Sequence, residues 1–237
     1  MFTGISSVWR PRFERNVRAA FDPQRYWQDR HEAHRGSLKA VGHRLLDEAA
    51  NAVHYERKAV MISEMIRRHV PSPRGKTLLD AGCGIGMLIP IYEQLGFHVT
   101  GVDFSETAIE QAQARCPSAS YHVLPLADVH LDARFDVVTV IDVLLHIVEE
   151  RLWRHTLATL AGHLSPDGLM VILDTFADGT GRWSRHVAPR SQRAFVGVLG
   201  ELQLHIVERI RFDQPPEPAV KDLLAIRFSN GPLPSIG

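Results

Sequence analysis

The chain has little of what marks a disulfide-stapled, membrane-spanning or strongly charged protein. It has two cysteines in 237 residues, too few for a disulfide framework, so we expect a reducing, cytoplasmic setting. No apolar run approaches the length of a membrane span, and the first residues lack a signal-peptide core. Lys and Arg balance Asp and Glu at 27 each. We therefore expect neither a nucleic-acid nor a membrane partner.

Histidine is the residue type that the chain has in number, with thirteen. The segment HEAH, from His31 to His34, is one residue short of the HExxH spacing that sets two ligands on one helical face. We expect both histidines to lie on a solvated helix surface. No metal site is predicted.

The alternation of apolar runs predicts an α/β protein. From Lys76 onward, short apolar runs alternate with amphipathic segments, which is typical of βαβ units around a parallel sheet. Gly96 is expected to end one helix and Ser105 to cap the next. The predicted strands are KTLLD, HVTGVD, SYHVL, FDVVTVID and LMVILDTF, the last entered through a turn at LSPDG, followed by LQLHIVERIRF and LLAIRFS.

The first part of the chain has a helical rather than an alternating pattern. Residues 1–70 are predicted to form a helical N-terminal extension or lid, with an approximate apolar stripe at Leu46, Ala50, Val53, Val60 and Ile66. Residues 71–237 are predicted to form the core domain, with a substrate-side insertion near 176–192.

A glycine-rich loop, LLDAGCGIG, follows the first predicted strand, from Leu78 to Gly86. Ligands of open parallel sheets bind outside the carboxyl ends of the strands, although glycine also serves any tight turn that needs a positive φ. The second strand ends in Asp103, seventeen residues beyond Gly86, where a carboxylate can accept hydrogen bonds from both hydroxyls of a ribose. Together these features favour a ligand that contains adenosine.

The spacing of the glycines distinguishes between nucleotides. The dinucleotide fingerprint G-x-G-x-x-G aims a helix N-terminus at a pyrophosphate, whereas this chain has G-x-G-x-G preceded by Asp80. An acid at the tip of the strand repels a pyrophosphate and attracts an ammonium group. S-adenosylmethionine, with an adenosine end and an amino-acid end, fits both features.

Four segments resemble, in order, the motifs of class I S-adenosylmethionine-dependent methyltransferases of the bacterial small-molecule type: LLDAGCGIG, VTGVDFSETAIEQAQ, FDVVTVIDVLLHI and LSPDGLMVI. The resemblance covers roughly Tyr55 to Phe176. It implies a Rossmann-like, seven-stranded, mostly parallel sheet with helices on both faces, in which the last strand is usually antiparallel.

The resemblance also implies a cofactor site. Asp103 would hold the ribose, and Phe104 would pack beside the adenine. Leu126 and Ala127 fall in the loop that contacts the adenine edge in family members. The methionine part would be lined by Asp80, Gly82, Cys83 and Gly84.

The adenine loop departs from the family pattern at one position. Family members often begin this loop with an acid, whereas Pro125 stands there in this chain. Asp128 or backbone groups would take over that contact.

Candidate catalytic residues follow the fourth predicted strand, in IDVLLHI. The sulfonium methyl is already activated, so the protein must position a nucleophile, and a hydroxyl acceptor also needs a proton acceptor. Asp142 and His146 are four apart and would share a face on a helical turn. His146 is the candidate general base, with kcat/KM expected to rise through the usual histidine range. The alternatives are that His146 only packs near the cofactor and that Asp142 lines the methionine pocket.

Substrate contacts are expected from segments outside the common core. Tyr26 and Trp27 offer flat surfaces, unless they only seat a helix on the core. The second segment, residues 176–192, is long for a connection and carries Trp183, Arg185 and His186. Its arginines indicate an acidic or phosphate-bearing acceptor, unless the segment is a solvated loop.

We therefore predict methyl transfer to a hydroxyl of a small glycan-related or natural-product molecule. N- or C-methylation stays open, as does a cofactor-binding sensor or partner subunit without catalysis. The glycine spacing disfavours a nicotinamide-dependent dehydrogenase. A nucleic-acid methyltransferase is disfavoured by the neutral charge and by IDVL at the place of an N-P-P-[YF] segment. The oligomeric state is not predicted.

Overall fold

In the computed structural model, residues 21–177, 183–212 and 220–229 are described. Their strands form one seven-stranded sheet in the order β3-β2-β1-β4-β5-β7-β6. Neighbours from β3 to β5 are parallel, and β7 is antiparallel to both β5 and β6, which confirms the mostly parallel sheet. The strands are β1 Thr77–Ala81, β2 His98–Asp103, β3 Ser120–Val123, β4 Phe135–Ile141, β5 Leu164–Phe176, β6 Leu204–Arg211 and β7 Val220–Phe228.

Helices cover both faces of this sheet, as predicted. Apolar residues of α2, α3 and α4 pack on one face, and those of α5 and α6 pack on the other. No helix in the described part of the chain is long and apolar enough to cross a membrane. The helices are α1 Pro23–Ala33, α2 Glu48–His69, α3 Ile89–Leu95, α4 Glu106–Arg115, α5 Glu150–Gly162 and α6 Gln192–Glu201.

Local signals set several helix boundaries where the sequence places them. Ser105 caps α4, because its side chain accepts a hydrogen bond from the backbone N–H of Ala108 at 3.2 Å. Gly96 ends α3 in the left-handed conformation, with a φ of 96°. The cap of α1 is Asp22, which accepts from Arg25 N at 3.1 Å.

The buried face of α2 differs from the predicted apolar stripe. Val53 and Val60 are each 55% exposed, whereas the buried positions include the polar Asn51, His54 and Lys58. Asn51 and Lys58 have partners elsewhere in the fold: the Asn51 amide bonds the backbone of the preceding loop, and Lys58 pairs with Asp142. The apolar pattern thus predicts the helix but not its orientation.

The predicted turn at LSPDG is also corrected. β5 begins at Leu164, which pairs with Phe135, and the segment continues as strand through a register shift to the pair Leu169 and Val137. The polar residues of LSPDG lie at a β-bulge within the strand, so no separate turn precedes β5.

Strand order reverses between β1 and β4. From β1 the chain proceeds to β2 and β3 on one side, and then crosses to β4 and β5 on the other. The carboxyl ends of β1 and β4 therefore border the crevice where open α/β sheets bind ligands.

Candidate cofactor and active site

A cavity of about 560 Å³ lies at the carboxyl ends of β1, β2 and β4. Its volume falls within the range of about 300–1,000 Å³ that is usual for small-ligand sites. The two candidate catalytic residues, Asp142 and His146, line it. So do all of the predicted cofactor residues, namely Asp80, Gly82, Cys83, Gly84, Asp103, Phe104, Leu126 and Ala127.

The glycine loop after β1 needs its glycines for two reasons. Gly82, Gly84 and Gly86 have φ values of 77°, 53° and 75°, a region that side chains disfavour. A Cβ at Gly82 would also lie 2.5 Å from Cγ2 of Val143. Conformation and close packing therefore both exclude side chains, while Gly82 and Gly84 still face the cavity.

Asp103 joins the end of β2 to the glycine loop. Its Oδ2 accepts from the N–H of Gly84 at 3.0 Å, and its Oδ1 accepts from the N–H of Ser105 at 2.9 Å. Burial raises the pKa of the Asp103 carboxyl to about 6, against these two hydrogen bonds. Each oxygen keeps further acceptor capacity, so the carboxylate can accept two vicinal hydroxyls.

Asp80 is the second buried carboxyl of the cavity wall. Its Oδ1 accepts from Oγ1 of Thr139 at 2.9 Å. Burial, together with the nearby negative charge of Asp103, raises the pKa of Asp80 to about 7. A cation in the cavity would favour the ionised form, which suits the ammonium group expected at this position.

The adenine loop forms a single 3₁₀ turn, Leu126–Asp128. Leu126 is buried, and Asp128 is exposed at the cavity rim. The acid that Pro125 replaces in the family pattern is therefore available three residues later.

Cys83 has a different environment: its sulfur lies against Gly101 of β2, and burial raises the pKa of its thiol.

Asp142 and His146 do not share a helical turn, contrary to the prediction. Asp142 directly follows β4 and has the left-handed conformation, with a φ of 59°, and His146 belongs to a separate 3₁₀ turn, Leu144–His146. The Asp142 N–H donates to the carbonyl of Leu173 at 2.8 Å. This bond to β5 replaces the one that a helical turn would supply.

The Asp142 carboxylate is held between two lysines. Its Oδ2 lies 2.5 Å from Nζ of Lys58 on α2, and its Oδ1 lies 2.6 Å from Nζ of Lys221 on β7. Burial alone would raise the pKa of Asp142, but the two ammonium groups outweigh it and hold the pKa far below its usual range. Such a carboxylate stays ionised and is a weak proton acceptor.

His146 has a defined tautomer. Its Nδ1 lies 2.8 Å from the carbonyl oxygen of His186, so the proton is on Nδ1 and the lone pair is on Nε2. Nε2 has no hydrogen-bond partner among the residues that the structure describes. Burial lowers the pKa of His146 to about 4. At neutral pH the side chain is therefore an uncharged imidazole with a free acceptor nitrogen.

The four predicted substrate residues lie behind or beside the cavity wall rather than in it. Tyr26 stacks on His186 at 4.5 Å between ring centroids, and His186 lies parallel to His146 at 5.9 Å. Trp183 is 51% exposed, and the guanidinium of Arg185 lies 5.4 Å from the ring centroid of Phe21.

Four residues of α1 line the cavity instead: Pro23, Gln24, Trp27 and His31. Trp27 meets the ring of His146 edge-on at 4.7 Å. His31 is 3% exposed, so the predicted solvated surface is wrong for His31 and holds for the exposed His34. The reason is that α1 lies across the cavity with His31 on its inner side. The spacing of Gln24, Trp27 and His31, which places them on one face of a helix, is the sequence pattern that agrees with this orientation.

Arg190, an arginine of the predicted substrate insertion, makes its contacts within the protein. It pairs with Glu150 at 2.9 Å and donates to the carbonyl of Ile147 at 3.1 Å. Its guanidinium also lies 5.1 Å from the Trp153 ring centroid. This arginine is engaged within the protein, so it does not support an acidic acceptor.

A family model described as a methyltransferase domain matches residues 53–207. The chain belongs to this methyltransferase family. It is a class I, S-adenosylmethionine-dependent member, with the glycine loop, the acid at the end of β2 and the seven-stranded sheet all present.

Relatives of this methyltransferase act on different atoms. The chain is 31% identical over 119 residues to dTDP-3-amino-3,6-dideoxy-α-D-glucopyranose N,N-dimethyltransferase of Streptomyces fradiae, covering 50% of this chain and 46% of that protein. It is 32% identical over 102 residues to a ubiquinone biosynthesis O-methyltransferase of Bradyrhizobium diazoefficiens, covering 41% and 39%. The chain thus spans less than half the length of either relative.

A solved structure has the same fold. Magnesium protoporphyrin IX methyltransferase of Synechocystis PCC 6803 with bound S-adenosylmethionine superimposes with a TM-score of 0.69 at 19% identity, covering 88% of this chain and 99% of that one.

The residues of the cavity fit the family's cofactor. Asp103 offers acceptor oxygens for ribose hydroxyls, Asp80 offers a counter-charge for an ammonium group, and the bare backbone at Gly84 leaves room for close approach. The imidazole of His31 also lines this space. The cavity of the methyltransferase thus has the donors, acceptors and volume that S-adenosylmethionine requires.

Proposed function

We propose that this chain transfers the methyl group of S-adenosylmethionine to a hydroxyl group of a small molecule, with His146 as the proton acceptor. The bound cofactor supplies an electrophilic methyl group. The observation that carries the proposal is the tautomer of His146, whose Nδ1–H is donated to the His186 carbonyl. This bond leaves Nε2 free to accept a proton in the cavity.

A hydroxyl acceptor makes the fullest use of such an imidazole. An alcohol or phenol must lose its proton as its oxygen is methylated, whereas a neutral amine attacks with its own lone pair and loses a proton afterwards. A pKa of about 4 keeps His146 uncharged at neutral pH, so the acceptor form is always present. The same low pKa makes His146 a weak base. We therefore expect the proton to pass from the acceptor oxygen to Nε2 late in the reaction, when the methylated oxygen has become strongly acidic.

Asp142 has a different role in this proposal. Its carboxylate is neutralised by Lys58 and Lys221, and we assign it to fixing the segment that connects β4 to His146. The aromatic pair of Tyr26 and His186 supports the His146 ring from behind. We assign both to positioning rather than to direct contact with the acceptor.

The acceptor class is inferred from relatives and from the small enclosed site. One relative is named for a dTDP-linked amino sugar and another for ubiquinone biosynthesis, which supports a glycan-related or natural-product acceptor. The first relative also favours a second candidate function, N-methylation of an amino sugar.

The test is a methyl-transfer assay with isotopically labelled S-adenosylmethionine and matched pairs of acceptors. Each pair carries a hydroxyl or an amine at the same position of one sugar or one aromatic scaffold. We expect label in the hydroxyl members. Label in the amine members alone would replace the proposal with N-methylation, and cofactor binding without any transfer would favour a sensor.

A further inference from the structure

His31 is a buried histidine that the protein itself does not satisfy. It is 3% exposed, and its Nδ1 has no hydrogen-bond partner in the part of the chain that the structure describes. Buried polar side chains are nearly always hydrogen-bonded, because an unmade bond has a large desolvation cost. The ring lines the cavity, so a ligand bound there lies against the imidazole.

The position of His31 along α1 places it toward the glycine loop. At the other end of the same face, Trp27 contacts His146, which is the proposed acceptor side. Next to His31, Arg30 donates to the carbonyl of Gly42 at 2.5 Å, and this holds α1 against the segment that contains Val41. A Cβ on Gly84 would lie 2.9 Å from Cγ1 of that valine.

Hydrogen bonds on a neighbouring face of α1 confirm this placement. Gln28 donates to Oγ1 of Thr107 at 3.0 Å, and the same hydroxyl donates to Glu32 at 3.0 Å. Thr107 lies in the first turn of α4, just beyond Asp103. α1 thus packs against the first turn of α4, next to the end of β2, and His31 belongs to its cavity-lining residues.

The imidazole is uncharged in this environment. Burial, with a smaller contribution from the nearby Arg30, lowers the pKa of His31 to about 4. A neutral imidazole can accept a hydrogen bond from a hydroxyl or donate one to a carboxylate. The cofactor carries oxygens of both kinds.

We propose that His31 is a cofactor-binding residue, whose imidazole hydrogen-bonds an oxygen of S-adenosylmethionine, either a ribose hydroxyl or the amino-acid carboxylate. This contact makes α1 part of the cofactor site. The inference rests on cofactor binding in this cavity and is independent of the atom that is methylated.

The test is calorimetric titration of the full chain with S-adenosylhomocysteine. His31→Phe keeps an aromatic ring, larger than imidazole, and removes both nitrogens, and we expect it to weaken binding by roughly fivefold to tenfold. His31→Gln keeps a polar end and should retain more affinity than His31→Phe. The matched control is His34→Ala, an exposed position on the same segment, which should bind like the wild type.

A second ligand identifies the oxygen. 5′-Methylthioadenosine keeps the ribose and lacks the amino-acid carboxylate. Equal weakening of both ligands in His31→Phe assigns the ribose, and weakening of S-adenosylhomocysteine alone assigns the carboxylate.

Thermal unfolding of the ligand-free variants separates binding from folding. Removal of an unpaired buried nitrogen should leave the ligand-free Tm of His31→Phe equal to or above that of the wild type. Wild-type affinity for both ligands in a folded His31→Phe overturns the inference. Failure of the wild type itself to bind either ligand overturns the cofactor assignment first, and this inference with it.

Discussion

At the scale of single residues, the surroundings of each titratable group decide what it can do. The sequence offers both Asp142 and His146 as catalytic candidates. In the structure, two lysines keep the Asp142 carboxylate ionised. The His186 carbonyl binds Nδ1 of His146 and leaves its Nε2 free. We therefore assign the proposed role of proton acceptor to His146 rather than to Asp142, because His146 lines the cavity with a free nitrogen and no counter-charge.

Replacement of His146 tests that assignment. We expect His146→Ala to lower kcat by about 10²–10⁴ if the imidazole accepts the substrate proton, with the affinity for S-adenosylhomocysteine unchanged. Steady-state kinetics and calorimetry give the two quantities. A variant that loses cofactor affinity but keeps kcat would show that the ring only packs, and Tyr26→Phe provides a control for disturbance of the supporting stack.

The pH dependence should differ from the expectation for an ordinary histidine. Because burial lowers the pKa of His146 to about 4, its acidic limb moves out of the histidine range. The limb that remains near neutrality comes from the buried carboxyls of the cofactor site.

Cofactor affinity should fall in mild acid. Asp103 must be ionised to accept two hydroxyls, and its pKa is about 6, so below pH 6 the dissociation constant should rise by about tenfold per pH unit. Asp80, with a pKa of about 7, acts in the same direction through the ammonium group. Titrations between pH 5 and pH 8 should show that Asp103→Asn loses the limb near 6 and keeps the Asp80 limb, moved below 7 because the negative charge of Asp103 no longer raises the pKa of Asp80; an unchanged profile in this variant would contradict the assignment.

At the scale of elements, the Asp142 carboxylate connects three parts of the fold. Lys58 comes from α2, Lys221 from β7, and Asp142 directly follows β4. The Lys58 side chain is 5% exposed, so the pair is desolvated. Loss of one partner from such a pair leaves a buried charge with incomplete compensation.

Asp142→Asn should therefore destabilise the protein by about 3–5 kcal/mol, because it leaves the ammonium groups of Lys58 and Lys221 without their shared carboxylate. Chemical denaturation measures the change in the free energy of unfolding. The double variant with Lys58→Met removes one of the two uncompensated ammonium groups and should recover part of the loss. Equal destabilisation in the single and double variants would show that packing, rather than the ion pair, stabilises this junction.

The same junction shows where sequence reasoning stops. Ser105 and Gly96 act on their own helix ends, so local patterns predict them, and the parallel strands follow from short apolar runs. The buried side of α2 depends on Asp142 and Lys221, whose proximity exists only in the folded chain. Val53 and Val60 therefore predict the wrong face.

The candidate site divides in the same way. Its cofactor residues follow strand ends and a glycine loop, so their positions are readable from order and spacing. His31 becomes a cavity residue only because α1 crosses the carboxyl ends of the strands, and no property of HEAH indicates that packing. The left-handed backbone of Asp142 is likewise a consequence of its long-range partners.

At the scale of the whole molecule, one cavity gathers elements from distant parts of the chain. The glycine loop, the end of β2, the segment after β4 and the N-terminal helix all contribute to its wall. Asp103 is central because it bonds the glycine loop directly. The central claim is that this cavity is the site of S-adenosylmethionine.

Calorimetric titration of the wild type and of Asp103→Ala with S-adenosylhomocysteine tests that claim most directly. Hydrogen bonds from the ribose to a carboxylate contribute about 1.5–3 kcal/mol each. We therefore expect the wild type to bind and Asp103→Ala to bind at least about tenfold more weakly, with its fold retained by circular dichroism. A wild type that binds NAD but not S-adenosylhomocysteine, or a folded Asp103→Ala with an unchanged dissociation constant, would contradict the account.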